Sequence, residues 1–300
     1  MKNTHLEHPE DSILNDGRSG AINVLKWFAD KNSTLTVKYD GAPAIVWGVN
    51  PENGKFFVGT KSVFNKKKIK INYTHNDIEV YHGDKPHVAS ILHMCMEKLP
   101  KVRGVYQGDF IGFGGTDTFE PNTIMYKFPE EVNQSIVFAA HTSYDGNTMK
   151  GMCASFGAAY YIRENAFDVK FVNTNAYVTS RSRRVDCLLT LAGMVSNFVR
   201  FPGEKEGQEL KVAVNKCIRL RQDIDCAGMS KMQTYLYKLI IQIKHLLMEG
   251  FSSYENVQCM FEGVDCDHEG YVMSNQFGAF KLVNRREFSY RNFTKKKNWV

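Results

Sequence analysis

The chain has 300 residues, 43% of them hydrophobic, 12% aromatic and 23% charged, with a net charge of +6. That is enough chain to bury an ample core, in the proportions of a globular protein, which argues against disordered and fibrous classes. No apolar run approaches the roughly 20 residues of a membrane span, and the polar start, Met1-Lys2-Asn3-Thr4-His5, does not read as a secretory signal.

Ala21, Val24, Leu25 and Phe28 fall at helical spacing and predict a helix over residues 17–30. A β meander is expected next, with strands at 34–39, 44–49 and 55–60. The Pro51-Glu52-Asn53-Gly54 turn closes the last two into a hairpin. Val88, Ile91, Leu92 and Cys95 predict a helix at 87–98, and a second strand group is expected at 104–113, 123–128 and 135–143. From 180 to 261 the pattern turns helical. Cys187, Leu188, Ala192, Val195 and Phe198 make one apolar face, and Leu236, Leu239, Ile240, Ile243 and Leu247 make another. Strands return at 270–273 and 278–283, before a polar, basic tail. The expected class is α+β with antiparallel sheets and an inserted helical subdomain. Its divisions are a core over 1–179, a helical insertion over 180–261 and a return to the core over 262–300.

The seven cysteines are scattered without a C-x-x-C pair, which predicts reduced thiols and a cytoplasmic compartment. Cys266-Asp267-His268 is a poor metal triplet if it lies on a strand, because adjacent residues there face opposite ways. His5 and His8, just before Pro9, suggest no role. Lys61, Lys66, Lys67, Lys68 and Lys70 form one basic cluster, Arg181, Arg183 and Arg184 a second, and Lys295, Lys296 and Lys297 a third. Each reads first as a solvated face, but together they favour a polyanionic partner, a nucleic acid, and no membrane.

Chemistry concentrates in motifs arranged in chain order. Lys38-Tyr39-Asp40-Gly41 ends a strand, and Gly59-Thr60-Lys61-Ser62 closes the next hairpin. Tyr106-Gln107-Gly108-Asp109-Phe110 and Val137-Phe138 lie on later strands. Glu269-Gly270-Tyr271-Val272 and Phe280-Lys281-Leu282-Val283 lie on the last two. Singly, each has a plain structural reading: a strand-end turn for Asp109, a core aromatic for Phe138. An unpaired lysine in the apolar strand around Lys281 is costly, which points that residue into a pocket.

In this order the motifs resemble those of the covalent nucleotidyltransferase superfamily, the ATP-dependent DNA and RNA ligases and capping enzymes, over about residues 34–284. The resemblance implies a ligase-type adenylation fold and a lysyl–AMP intermediate on Lys38, with Lys61 and Lys281 assisting. Asp40 and Gly41 would complete the nucleotide motif, Asp109 would bind the ribose, Phe138 would stack on adenine, and Glu269 would hold Mg2+ or Mn2+. A lysine nucleophile must be neutral, and burial with neighbouring cations is expected to lower its pKa.

Four positions depart from the pattern: Thr36 for an acidic residue, Ala42-Pro43 for a polar contact, Lys61 for arginine, and Val283 for a second basic residue. Arg285 and Lys55 are the expected substitutes. About 17 residues follow Val283, too few for an OB-fold domain. The closest likeness is therefore to phage-type RNA ligases without one, acting on RNA ends in the cytoplasm, of the host if the protein is viral. A DNA nick-sealing ligase and a weakened nucleotide- or nucleic-acid-binding module are the competing expectations.

Overall fold

The computed structural model describes residues 6–157, 162 and 168–294. His5 and the Lys295–Lys297 cluster lie outside that range.

The chain opens with α1 (Ser12–Asn15) and α2 (Gly17–Ala29), which buries Ala21, Val24, Trp27 and Phe28. β1 (Thr34–Lys38) follows, then the hairpin of β2 (Ala44–Val49) and β3 (Phe56–Thr60). In its turn, Gly54 has φ +69, a left-handed conformation that favours glycine, and its N–H donates to Asn50 O at 2.8 Å. Next come α3 (His75–His82), started by a Thr74–Asp77 capping box, and α4 (Pro86–Lys98). A strand run continues with β4 (Val105–Phe113), β5 (Thr116–Phe119), β6 (Met125–Val132), β7 (Ile136–Asp145), β8 (Cys153–Phe156), β9 (Val169–Phe171) and β10 (Ala176–Val178). The helices α5 (Arg183–Ser196), α6 (Glu204–Arg219) and α7 (Lys231–Met248) follow. The chain then forms β11 (Phe251–Ser253), β12 (Gln258–Phe261), β13 (Val264–Asp265), β14 (Gly270–Asn275) and β15 (Gly278–Val283), and ends in α8 (Arg285–Thr294).

The class is α+β, with mostly antiparallel sheets. A six-stranded sheet runs β3-β2-β4-β7-β8, with β9 parallel to β7. A three-stranded sheet runs β1-β14-β15, a four-stranded sheet β13-β12-β6-β5, and a ribbon joins β10 to β11. Among the described residues, no helix is long and apolar enough to cross a membrane.

Three features differ from the sequence expectation. The helical stretch ends at Met248, and residues 251–261 return to strand, pairing with β10 and β6. The three helices also share one core with α1, α2 and the three-stranded sheet: Ile13, Trp27, Phe28, Val185, Val214, Leu236, Ile240, Met273 and Leu282 pack together. On α5 the buried residues are Val185, Ala192 and Val195, while Cys187 is exposed and Phe198 is 76% exposed. The helix stops at Ser196, so Phe198 no longer follows the helical period.

Four histidines have pKa values lowered below the ordinary value of 6.5, chiefly by burial: His8, His82, His245 and His268, the last to about 4. The unfolded chain then binds more protons than the folded one below about pH 6.5. Stability is full above that value and falls as pH drops, by up to about 1.4 kcal/mol per pH unit for each histidine. Glu269, raised to about 7, contributes one opposing proton. Urea unfolding is expected to show a lower midpoint at pH 5.5 than at pH 7.5; an equal or higher midpoint would contradict the assignment.

Candidate active site

Register places the charged residues. Lys38, the last residue of β1, lies opposite Gly270, so Glu269 just before it falls beside the lysine. Thr36, Val272 and Lys281 form one row across β1, β14 and β15. On the six-stranded sheet Ala44, Asp109 and Ala139 form a corresponding row. Cross-strand partners share a face. The two rows line a cavity of about 370 Å3, to which Lys61, Gln107, His141, Thr174 and Phe156 also contribute.

Thus Lys38, Lys61, Asp109, Glu269 and Lys281, dispersed over most of the chain, meet in one cavity. Lys38 Nζ donates to Glu269 Oε2 in an ion pair in which Glu269 is buried and Lys38 partly exposed. His141 Nε2 lies 3.5 Å from Asp109 Oδ2. Gly41 packs so closely on β4 that an added Cβ would lie 2.6 Å from Asp109 Cβ and 2.8 Å from Phe110 O. Glycine there lets the loop after Lys38 sit against Asp109.

The electrostatics correct one expectation. Burial lowers the Lys38 pKa, but the carboxylates of Glu269, Asp109 and Asp40 outweigh it and raise Lys38 above the ordinary lysine value. Lys38 is therefore held as an ammonium. Burial pushes Glu269 up to about 7 against the pull of Lys38, with Asp40 and Asp109 adding to the rise. Within the cavity, the lowered lysines are the other two. Burial depresses Lys61 and Lys281, and the Lys38 charge depresses both further.

Three of the expected nucleotide-site residues, Asp40, Gly41 and Phe138, lie outside the cavity. Asp40 is buried and accepts from Asn122 Nδ2 at 2.7 Å, Thr123 N at 2.7 Å and Ile124 N at 3.1 Å. It secures the 122–124 loop, and neither it nor Gly41 lines the cavity. Phe138 pairs with Phe110 on the opposite face of the six-stranded sheet from Ala139. It is fully buried, with ring centroids 5.1 Å from Trp47 and 6.2 Å from Phe171. Gly108 makes room for this ring, since a Cβ there would approach Phe138 Cε1 to 2.5 Å.

A family model matches residues 3–227 and 214–297, nearly the whole chain. The chain belongs to a family of unknown function (DUF6267). No curated protein and no solved structure matches. The chemistry open to this DUF6267 chain is set by the residues of its site.

Sequence reasoning missed the N-terminal wall. Leu6 lines the cavity, and Glu7 O accepts from Lys281 N at 3.0 Å, which fixes the N-terminal segment along β15. His8 is kept neutral by burial and by the charges of Arg285, Lys244, Lys281 and Lys38. Beyond it, Glu10 and Asp11 enter a buried ion cluster. Lys244 Nζ lies 2.7 Å from Glu10 Oε1. Arg285 Nη1 lies 2.8 Å from Asp11 Oδ1, and Tyr237 Oη donates to Asp11 Oδ1 at 2.7 Å. Arg285 Nη2 donates to Asn215 Oδ1 at 2.6 Å. Arg285 is thereby committed to the core, and neither it nor Lys55 lines the cavity as a replacement for a basic residue at Val283. A proline followed by two acids reads as surface; only the distant partners, Lys244 and Arg285, show otherwise.

The Cys266-Asp267-His268 triplet lies between β13 and β14 rather than along a strand, with His268 Nδ1 3.3 Å from Cys259 Sγ. Among the described residues, no group of three or more His, Cys, Asp or Glu is arranged to hold a metal. Mg2+ commonly takes one or two carboxylates and completes its shell with water and substrate phosphates. The cavity-facing carboxylate of Glu269 fits that mode.

Proposed function

We propose that this chain is an ATP-dependent polynucleotide ligase of the RNA-ligase type, built on a ligase-type adenylation fold, with Lys38 as its nucleophile. The observation that supports it is the convergence of Lys38, Lys61, Asp109, Glu269 and Lys281 on one cavity. Its volume of about 370 Å3 is in the range of small-molecule sites.

In this reading ATP is the co-substrate, its phosphates directed toward Lys61 and Lys281 and its ribose toward Asp109. The Lys38 amine, once deprotonated, attacks the α-phosphorus. The bond from that phosphorus to the bridging oxygen breaks, pyrophosphate leaves, and a lysyl–AMP phosphoramidate remains. Lys61 and Lys281 stabilise charge on the departing group. A Mg2+ or Mn2+ ion held at Glu269 would neutralise phosphate charge and, by drawing the carboxylate off the ammonium, lower the Lys38 pKa. AMP then passes to a polynucleotide 5′-phosphate, and a 3′-hydroxyl attacks that phosphate and expels AMP.

The placement of Asp40 and Phe138 outside the cavity favours one other reading, a nucleotide-binding module that forms no adduct. The test is sealing of 5′-phosphorylated RNA ends with ATP and Mg2+, alongside nicked duplex DNA. Faster sealing of RNA is expected. Faster sealing of the nick would move the assignment to a DNA ligase, and ATP binding without sealing or adduct would favour the module.

A further inference from the structure

An aromatic pair stands on the surface beside the cavity. Tyr177 on β10 and Tyr254 just after β11 are 40% and 62% exposed, with ring centroids 4.6 Å apart and planes inclined by 44°. Tyr177 lies opposite Ser252, and Tyr254 is two residues farther along, so both rings project from one face of the ribbon. Ala176, on the opposite face, packs into the core. The pair is therefore the outer surface of a ribbon anchored from behind. Among the described residues, neither phenol oxygen has a hydrogen-bond partner.

The ribbon is fixed close to the cavity. Asn175 bridges to Thr36, and Tyr254 N donates to Asn175 O at 3.4 Å. Thr36 and Thr174 both line the cavity. Tyr177 follows Thr174 by three residues, which at about 3.3 Å per residue puts the aromatic pair roughly 10 Å from the cavity wall. The chain then passes to the start of α5, where Arg183 and Arg184 are exposed and have no acidic partner among the described residues. Arg181, by contrast, is committed to Phe28 O and Asp186.

Exposed rings followed along the chain by unpaired guanidinium groups fit a ligand that offers flat apolar faces and negative charge together. A single-stranded polynucleotide has both, whereas a duplex hides its base faces in the stack. We propose that Tyr177 and Tyr254 form a base-stacking platform for a single-stranded polynucleotide end, with Arg183 and Arg184 holding its phosphates. This deepens the ligase reading, on which it rests for what is done to that end.

The test measures binding of the full chain to a short, mixed-sequence single-stranded RNA and to the corresponding blunt duplex, by fluorescence anisotropy at fixed salt. Tyr177→Ala/Tyr254→Ala is expected to weaken single-strand binding on the order of tenfold or more and to leave duplex binding nearly unchanged. Tyr177→Phe/Tyr254→Phe keeps the rings and is expected to bind like the parent. Arg183→Ala/Arg184→Ala is expected to weaken binding and flatten its salt dependence. Unchanged single-strand affinity in the alanine pair, equal loss on duplex and single strand, or equal loss in the phenylalanine pair would overturn the platform. Self-labelling of Lys38 by ATP, followed in the same variants, is expected to stay intact. A chain that takes no label yet binds single strands through the two rings would refute the ligase reading and leave the platform standing.

Discussion

Arg285→Ala is expected to destabilise the chain by about 3–5 kcal/mol, the cost of leaving a buried charge without its partner. Arg285 joins Asp11 and Asn215 within a cluster that also contains Glu10, Lys244 and Tyr237. Asp11 is 1% exposed and Glu10 fully buried, so water cannot take the place of the lost guanidinium. The cluster ties the N-terminal segment to α7 and to the start of α8. The same segment bonds to β15 beside Lys281, so the variant is also expected to lose order at the cavity wall. Chemical unfolding measures the first effect. A loss below about 1 kcal/mol, the value of a solvated surface pair, would contradict the burial of the cluster.

Lys38→Ala is expected to abolish adduct formation with ATP, a loss on the order of a thousandfold or more, because no second group can replace a covalent nucleophile. Lys61 and Lys281 share the cavity but lie on other elements. The substitution leaves Glu269 without its cation. Since Glu269 is already raised to about 7, it takes up a proton rather than remaining as an isolated buried charge. The variant is therefore expected to fold, and more stably near pH 6 than near pH 8 relative to the parent. Label retained by the folded variant would place the nucleophile elsewhere.

Much of the fold was legible because the apolar period agrees with the burial. α2, α4, β2 and β15 fall within a residue or two of expectation, and the Asn50–Gly54 turn carries its own signal. α3 was missed because it buries only Ile78 and His82, although its Thr74–Asp77 capping box stood in the sequence. α8 reads as a polar tail because its apolar residues follow no helical face. β9, β10 and β11 have three residues each, too few for a period.

Within the site, Lys38, Lys61, Asp109, Glu269 and Lys281 line one cavity, as their order in the chain led one to expect of the three lysines. Asp40 and Phe138 do not line it: Asp40 follows β1 and is turned to the 122–124 loop, while Phe138 lies one residue from Ala139, and in a strand one residue is the whole difference between faces. β7 is buried on both sides, so nothing in its composition marks which face meets the cavity. The raised pKa of Lys38 was also hidden, because it arises from three carboxylates in three separate segments.

The proposed reaction requires a covalent bond from Lys38 to AMP. The direct measurement is incubation of the intact chain with Mg2+ and α-labelled ATP, with labelled GTP in parallel, followed by denaturation and peptide mapping. The expected result is label from ATP that survives denaturation and maps to the peptide containing Lys38. A folded chain, free of AMP bound beforehand, that takes no label or carries it on another residue would contradict it.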